Sequence, residues 1–197
     1  MSEPTADVID LLAGVERGSA LDRIRAQRPA ARENAQKSWA ALFQPEDPGT
    51  VSALERHAVA AFVAALHREP APARFYAEAL AGHDSGLAAA VAAEAERAAT
   101  EGPYGRYPAG PLSAEDKDGP VHHVSDESRR VLGPRIAAAL EHTHLLVFRP
   151  RDASAAALQA LLDAGWSTTD IVTLSQLVAF LSFQIRVVAG LRALAAA

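Results

Sequence analysis

The chain contains no cysteine. Disulfide bonds, thiolate metal sites and cysteine nucleophiles are therefore excluded, together with every reaction that depends on a redox-active thiol. A chain of 197 residues needs no disulfide to fold, because a globule of this size buries roughly 70% of the surface that its unfolded chain exposes. The lack of cysteine also suits a reducing compartment, so we expect a cytoplasmic protein.

Positive charge is limited as well. The formal net charge is −5, the isoelectric point is about 5.8, and only Lys37 and Lys117 among the 19 basic residues are lysine. No run of basic residues offers contacts to a phosphate backbone, so we expect no nucleic-acid partner. The N-terminal residues carry acidic side chains where a secretory signal needs positive ones, which agrees with the cytoplasmic expectation.

One apolar segment, residues 171–194, approaches the length of a membrane-spanning helix. Polar and charged side chains, among them Gln184 and Arg186, interrupt it, and charge in the middle of a span is costly in a bilayer. We therefore interpret it as a buried core or interface helix and expect no membrane partner. Because it is apolar around much of its circumference, it predicts packing against another subunit in a homo-oligomer.

The pattern of apolar residues favours helices throughout. Alternation of apolar and polar residues never extends over more than a few positions, whereas nearly every segment shows helical spacing. We predict an all-α fold of about eight helices with an antiparallel helical core. A long Gly- and Pro-rich stretch, residues 103–123, interrupts the helical pattern. We expect a single domain, 1–197, in which this crossover joins sub-halves of about 1–102 and 124–197.

Two helix starts in these sub-halves are similar. Ser52 with Glu55, and Ser167 with Asp170, have the spacing of a capping box, in which the serine and the acidic side chain each bind a free backbone N–H. The stretches that begin at the two serines align without a gap, and the apolar positions 59, 63 and 66 coincide with 174, 178 and 181. The pattern predicts two related halves.

The helix that begins after Ser52 ends at a pair of prolines. Its apolar residues recur at three- and four-residue spacing and are predicted to lie on one face: Leu54, Val59, Phe62, Val63 and Leu66. Pro70 and Pro72 then break the helix, and a new helix is predicted over residues 73–80. A pocket can form at such a break, so we expect a small organic molecule to bind within residues 66–76.

The start of this helix carries a serine, a Glu-Arg pair and an Ala-rich run, formed by Ser52, Glu55, Arg56, Ala60 and Ala64. It resembles the signature helix of the alkylhydroperoxidase D and carboxymuconolactone decarboxylase family, particularly its longer, duplicated, peroxidase-related members. The last fifty residues, with Gly165, Ser167, Asp170 and the long helix that follows, are similar to the second half of those proteins. The resemblance implies a helical oligomer, which agrees with the expectation from the apolar segment.

The resemblance places the catalytic positions of the family on residues that cannot perform thiol chemistry. The two redox cysteines fall on Glu69 and Pro72, the acidic residue on His57 and the histidine on Tyr76. In those enzymes one thiolate attacks the peroxide, and the second cysteine resolves the resulting sulfenate. Thiol-dependent peroxidase activity is therefore inconsistent with this sequence.

The decarboxylase branch of the family does not depend on a cysteine pair. It needs an acid–base group and a cation that holds the substrate anion. The candidate catalytic residues are His57, Glu69 and Tyr76. The candidate substrate-binding residues are His67, Arg68 and Arg74. His57 also fits an ordinary helix position, and His67 also fits a helix end whose dipole favours a cation.

Four further histidines form two close pairs, His122 with His123 and His142 with His144. The members of the second pair lie about 200° apart around a helix and cannot both bind one ion, so we expect no metal site and no cofactor. One histidine of each pair can still share a pocket, with Glu141 or Arg149 nearby.

The leading hypothesis is a cysteine-less relative of the alkylhydroperoxidase D and carboxymuconolactone decarboxylase group that binds a small organic molecule, with acid–base chemistry in place of thiol chemistry. The alternative is a non-catalytic helical oligomer or binding module derived from a peroxidase-related enzyme. An enclosed pocket at residues 66–76, in which His57, Glu69 or Tyr76 meets an arginine, would favour the enzyme.

Overall fold

A computed structural model describes residues 7–196. Within that range the chain forms nine α-helices and no strand, which confirms the all-α prediction. The helices are α1 Val8–Ala13, α2 Ala20–Ala26, α3 Pro29–Phe43, α4 Ala53–Leu66, α5 Pro70–His83, α6 Ser85–Arg97, α7 Asp126–Phe148, α8 Ala155–Asp163 and α9 Thr168–Ala196. Two short 3-10 helices, Pro111–Glu115 and Pro150–Asp152, complete the secondary structure.

Both predicted capping boxes form. At the start of α4, Ser52 accepts a hydrogen bond from the backbone N–H of Glu55, whose carboxylate accepts from the N–H of Ser52 at 2.7 Å. At the start of α9, Ser167 and Asp170 make the same reciprocal pair, at 3.0 and 3.1 Å. Local side-chain chemistry therefore fixes where the two central helices begin.

The turn between α4 and α5 is shorter than the predicted break at Pro70 and Pro72. Arg68, with a φ of 57°, and Glu69 turn the chain, and α5 begins at Pro70 itself. Both prolines lie in the first turn of the helix, where backbone N–H groups have no intrahelical partner, so a residue without an N–H costs nothing. The prediction of a helix over 73–80 was thus wrong at its start.

Helix α4 lies at the centre of the fold and packs against α5, α6, α7 and α9. Every residue in 58–64 is buried. The sequence predicted that only one face of α4 is buried. Neighbouring helices instead cover nearly its whole circumference. The alanines among these residues permit such close packing on all sides, since they keep the helix thin.

Helices α4 and α9 run parallel, which corrects the expected antiparallel core. At one end, Arg135 of α7 reaches both Glu55 (Nε–Oε1 2.5 Å) and Asp170 (Nη2–Oδ2 3.2 Å). Further along, Nε2 of His67 lies 3.2 Å from the hydroxyl of Ser182. The first turns of the two helices are therefore adjacent, and the helices remain in contact for the length of α4.

Helix α7 begins at Asp126, eight residues before Pro134, although a proline is typical of a first helical turn. Ser125 caps it by accepting from the N–H of Ser128, and the chain kinks at Gly133, where φ is 73°. Pro134 restarts the helix after the kink. Arg135 comes directly after this restart, so the kink helps to set the position from which it reaches the two capping boxes.

The crossover at 103–123 is ordered by Tyr104. Its backbone N–H donates to the carbonyl of Phe148 at 2.7 Å, and its hydroxyl lies 2.8 Å from that of Thr100. A Cβ at Gly119 would lie 2.3 Å from Cγ of the Tyr104 ring, so the chain passes this ring too closely for a side chain. The crossover therefore returns the chain to α7 along a defined path.

Helix α9 alone among the described helices is long and apolar enough to cross a membrane, judged by length and composition. Its apolar residues at three- and four-residue spacing, among them Leu174, Leu181 and Val188, are buried against the rest of the fold. A core helix satisfies the same two criteria, and the carboxylate of Asp170 and Oε1 of Gln184 accept hydrogen bonds inside the protein.

Candidate functional site

The structure brings together two of the three candidate catalytic residues, His57 and Tyr76. The ring centroids of both lie 5.4 Å from that of Phe43, and His57 also contacts the ring of His83 at 4.8 Å. Nδ1 of His57 lies 2.7 Å from the carbonyl of Ala53, one turn earlier in α4. Burial lowers the pKa of His57, so the ring is neutral at pH 7.

Tyr76 is buried in the core. Its hydroxyl donates to Oε1 of Gln184 on α9 at 2.6 Å, and Phe43 stacks on its ring. Burial raises the pKa of the phenol far above its ordinary value, so the hydroxyl stays protonated. In this arrangement Tyr76 connects α5 to α9, and its proton is already committed to Gln184.

The remaining candidates do not converge on His57 and Tyr76. Arg68 and Arg74 are exposed, and their nearest carboxylates are those of Glu101 at 3.5 Å and Glu78 at 4.0 Å. Glu69 precedes α5 without a side-chain capping bond. His67 contacts Ser182, and burial lowers the pKa of its ring. No arginine thus meets His57, Glu69 or Tyr76 in the described part of the chain, the arrangement that would have favoured an enzyme there.

A different group of ionisable side chains surrounds a cavity of about 200 Å³ between the end of the crossover, α7 and α8. We call it the histidine cavity. Its ionisable lining residues are His122, His123, Glu141, His142 and Arg149. Both histidines of the first close pair and one of the second therefore line the cavity with Glu141 and Arg149, where the sequence suggested one histidine from each pair.

Glu94 of α6 lies behind His122. The carboxylate is completely buried, and its Oε2 is 3.3 Å from Nε2 of His122. Ser125 donates its hydroxyl to Glu94 at 2.6 Å, and Arg97 donates at 2.8 Å. Burial alone would raise the pKa of Glu94, but these hydrogen bonds outweigh it and hold the pKa below its ordinary value. Glu94 is therefore ionised beside the imidazole.

Several polar atoms around the cavity have no hydrogen-bond partner within residues 7–196. They include Nδ1 of His142 and Nε of Arg149, both buried. Burial lowers the pKa of His122 and of His142, with Glu94 acting in the opposite direction on His122. The cavity thus combines neutral imidazoles with an arginine whose donors are incompletely used, and buried donors of this kind are costly to leave unpaired.

His144 points away from the cavity, as the helical spacing indicated. Its Nε2 lies 3.2 Å from the carbonyl of Ala98, and its ring is 5.3 Å from that of His122. Burial, together with the nearby His122, lowers the pKa of His144 to about 4. His144 therefore forms a neutral wall behind His122. No three His, Asp or Glu side chains of the described chain are placed to hold a metal ion.

Reasoning from the sequence missed Glu94. It lies in an Ala- and Glu-rich helix where each acidic residue resembles a solvated one, and its distance from His122 along the chain gives no sign of contact. A weak signal existed, since α6 presents Leu87, Val91 and Glu94 at three- and four-residue spacing on one face. An acid on an apolar face indicates a buried partner.

Comparisons with known proteins add no information about the site, because no family model, no curated protein and no solved structure matches the chain.

Proposed function

We propose that the protein binds a small organic anion in the histidine cavity and transfers a proton to or from it. His122 is the acid–base group in this proposal, Glu94 positions it, and Arg149 holds the anion. The observation that carries the proposal is the ionised, buried Glu94 at 3.3 Å from an imidazole that lines a cavity. The reaction needs no thiol, as the absence of cysteine requires.

The geometry of the pair suits a proton transfer. With Nε2 directed toward Glu94, the favoured tautomer carries its proton on Nε2 and leaves the lone pair on Nδ1. Because burial keeps His122 neutral at pH 7, Nδ1 can accept a proton from a bound molecule. The carboxylate then stabilises the imidazolium until the proton returns to the product. Nε2 of His122 and Oε2 of Glu94 are close but are not aligned as a hydrogen bond. Catalytic contacts of this kind often tighten when substrate binds.

Arg149 supplies the charge that the substrate must match. Its side chain is 14% exposed, its Nε is without a partner in the described structure, and its Nη1 reaches Asp152 only at 3.4 Å. A carboxylate in the cavity would satisfy these donors better than the present contact does. The volume of about 200 Å³ restricts the ligand to a few carbon atoms beyond the anionic group.

The proposal includes the relationship to the alkylhydroperoxidase D and carboxymuconolactone decarboxylase group as a cysteine-less member. Support comes from the two capping boxes and from the parallel contact of α4 with α9, which two related halves would produce. Proton transfer on a small organic acid is also the chemistry of the branch that does not depend on cysteine. The proposed site of proton transfer, however, is the histidine cavity and not the end of α4.

Deuterium exchange tests the proposal directly. Small lactones and unsaturated carboxylates are incubated with the protein in deuterated water, and NMR follows replacement of hydrogen at the carbon beside the carboxylate. His122→Gln should slow the exchange by about 100-fold or more, because glutamine cannot accept the proton. Arg149→Met should weaken binding of the anion. His83→Gln serves as the control for loss of an imidazole from the surface.

Two results would contradict the proposal. One is an absence of exchange across the panel with folded protein. The other is exchange that survives His122→Gln but is lost in His57→Gln or Tyr76→Phe, which would return the site to the end of α4.

A second function, that of a non-catalytic homo-oligomer, is favoured by the outer face of α9. Val172, Phe183 and Leu194 are exposed and recur at intervals of about three helical turns, so they lie on the same side of the helix. Light scattering after size exclusion measures the assembly, and Phe183→Glu should lower the mass if this side of α9 is the contact. A monomeric wild-type protein would exclude this function.

A further inference from the structure

A second cavity lies beside the first turns of the two central helices, α4 and α9. Its volume is about 900 Å³, and it opens between α3, the 44–51 segment and α9. We call it the Arg56 cavity. It is lined by apolar side chains, among them Ala41, Leu42, Ala179 and Phe180, and by polar ones, among them Ser38, Thr169, Thr173 and Gln176.

The guanidinium of Arg56 forms part of the wall, although the residue is only 5% exposed. Nε donates to the carbonyl of Val51 at 3.0 Å, Nη1 to that of Leu42 at 2.7 Å and Nη2 to that of Pro48 at 3.0 Å. A guanidinium has five N–H groups, so one on each terminal nitrogen is left without a partner among the described residues.

The cation has no carboxylate of its own within the described chain. Asp170 also lines the cavity, but its oxygens accept from Thr50, from the N–H of Ser167 and from Arg135. Asp47 accepts from the N–H of Gly49. Three carbonyl groups hold Arg56 in place, and the nearby carboxylates of Glu55 and Asp170 act on it electrostatically without forming an ion pair with it. A buried guanidinium without a directly paired anion is costly.

We propose that the Arg56 cavity binds an organic acid, with its carboxylate on the two remaining N–H groups of Arg56 and its apolar body against Ala179 and Phe180. Thr169 and Thr173 also line the cavity, and their polar side chains can meet polar substituents of the ligand. A carboxylate can accept from both N–H groups at once and brings a full negative charge to the guanidinium, which a neutral ligand does not. This site is separate from the histidine cavity and does not depend on the proposed acid–base function.

Calorimetric titration with benzoate, hexanoate and benzamide tests the inference. Benzoate and hexanoate should bind, and benzamide, which has the same shape as benzoate without its charge, should bind at least about tenfold more weakly. Arg56→Met should abolish binding. Because that variant also loses three hydrogen bonds that hold the 44–51 segment, its folding must be checked by circular dichroism.

If Arg56→Met does not fold, Ala179→Phe tests the inference instead. Ala179 is exposed on α9, so a larger side chain fits the fold but fills the cavity, and benzoate affinity should fall at least about tenfold. Ala193→Phe, also exposed on α9 but outside the cavity, should leave the affinity unchanged.

Three outcomes would overturn the inference: equal affinity for benzoate and benzamide, wild-type affinity in Ala179→Phe, or no saturable binding of either carboxylate at millimolar concentration. Benzoate binding that is lost in His122→Gln but kept in Ala179→Phe would assign the ligand to the histidine cavity and would likewise overturn it.

Discussion

Asp170 should make a measurable part of the folding stability depend on pH. Its carboxylate is 4% exposed and accepts from Thr50, from the backbone N–H of Ser167 at 3.0 Å and from Arg135 at 3.2 Å. Burial raises the pKa, but these three donors outweigh it and lower the pKa from 3.8 to about 2. The carboxylate therefore remains ionised in the folded protein at a pH where it is protonated in the unfolded chain.

The magnitude follows from the two pKa values. At about 1.4 kcal/mol per pKa unit, the difference between 3.8 and about 2 corresponds to about 2 kcal/mol. Between these values the unfolded chain binds more protons than the folded one, so stability rises with pH. The contribution of Asp170 is complete above the unfolded pKa and is lost as the pH falls through the folded pKa.

Urea unfolding at a series of pH values from neutral to strongly acidic measures this contribution. Asp170→Asn should be less stable than the wild type by about 2 kcal/mol at neutral pH, and the difference should shrink as the pH falls from 3.8 toward 2. Asp163→Asn, an exposed acid on α8, is the matched control. A difference between wild type and Asp170→Asn that stays constant across the acid range would refute the reasoning.

Three further predictions concern the core and the crossover. Tyr76→Phe should lower stability by about 1–3 kcal/mol in urea unfolding, because Oε1 of the buried Gln184 loses its 2.6 Å hydrogen bond. Gly119→Ala should cost about 1–3 kcal/mol and make the crossover easier to cleave by a protease, since the new Cβ would meet the ring of Tyr104 at 2.3 Å. The His144 imidazole should titrate near pH 4 in NMR, so its contribution to stability is present above the ordinary histidine pKa and falls as the pH drops toward 4; a midpoint near 6.5 would contradict its burial.

Local signals predicted the helix starts well. Ser52 and Ser167 each cap a helix in the structure as expected, because capping involves residues three or four positions apart. The predicted helix bounds were wrong where one residue type is compatible with two different local structures. Pro70 breaks a helix in its interior but is accommodated in a first turn, and only the preceding turn at Arg68 decides between the two.

Tertiary packing was harder to predict. The continuous burial of 58–64 depends on neighbours on all sides of α4, which a stripe of large apolar residues does not reveal when the other positions are alanine. The parallel contact of α4 with α9 depends on Arg135, a residue with no motif of its own.

The histidine cavity shows most clearly what the sequence contained and what it did not. The close spacing of His122 with His123, and of His142 with His144, suggested a shared pocket near Glu141 or Arg149, and the structure places His122, His123 and His142 in it. Helical geometry also indicated that only one member of the second pair can face it. The proposed proton transfer, however, depends on which imidazole lies beside an ionised carboxylate. In the structure that imidazole is His122, beside Glu94.

Glu94 reaches His122 because the crossover returns the chain across α6 before α7 begins. The carboxylate of Glu94 accepts both from the hydroxyl of Ser125, the cap of α7, and from Arg97, one turn further along its own helix. The same contacts that fix the entry of the chain into α7 therefore keep Glu94 ionised beside the imidazole. Loss of Ser125 would disturb the helix start and the proposed acid–base pair together, because both depend on the contacts at the point where the crossover enters α7.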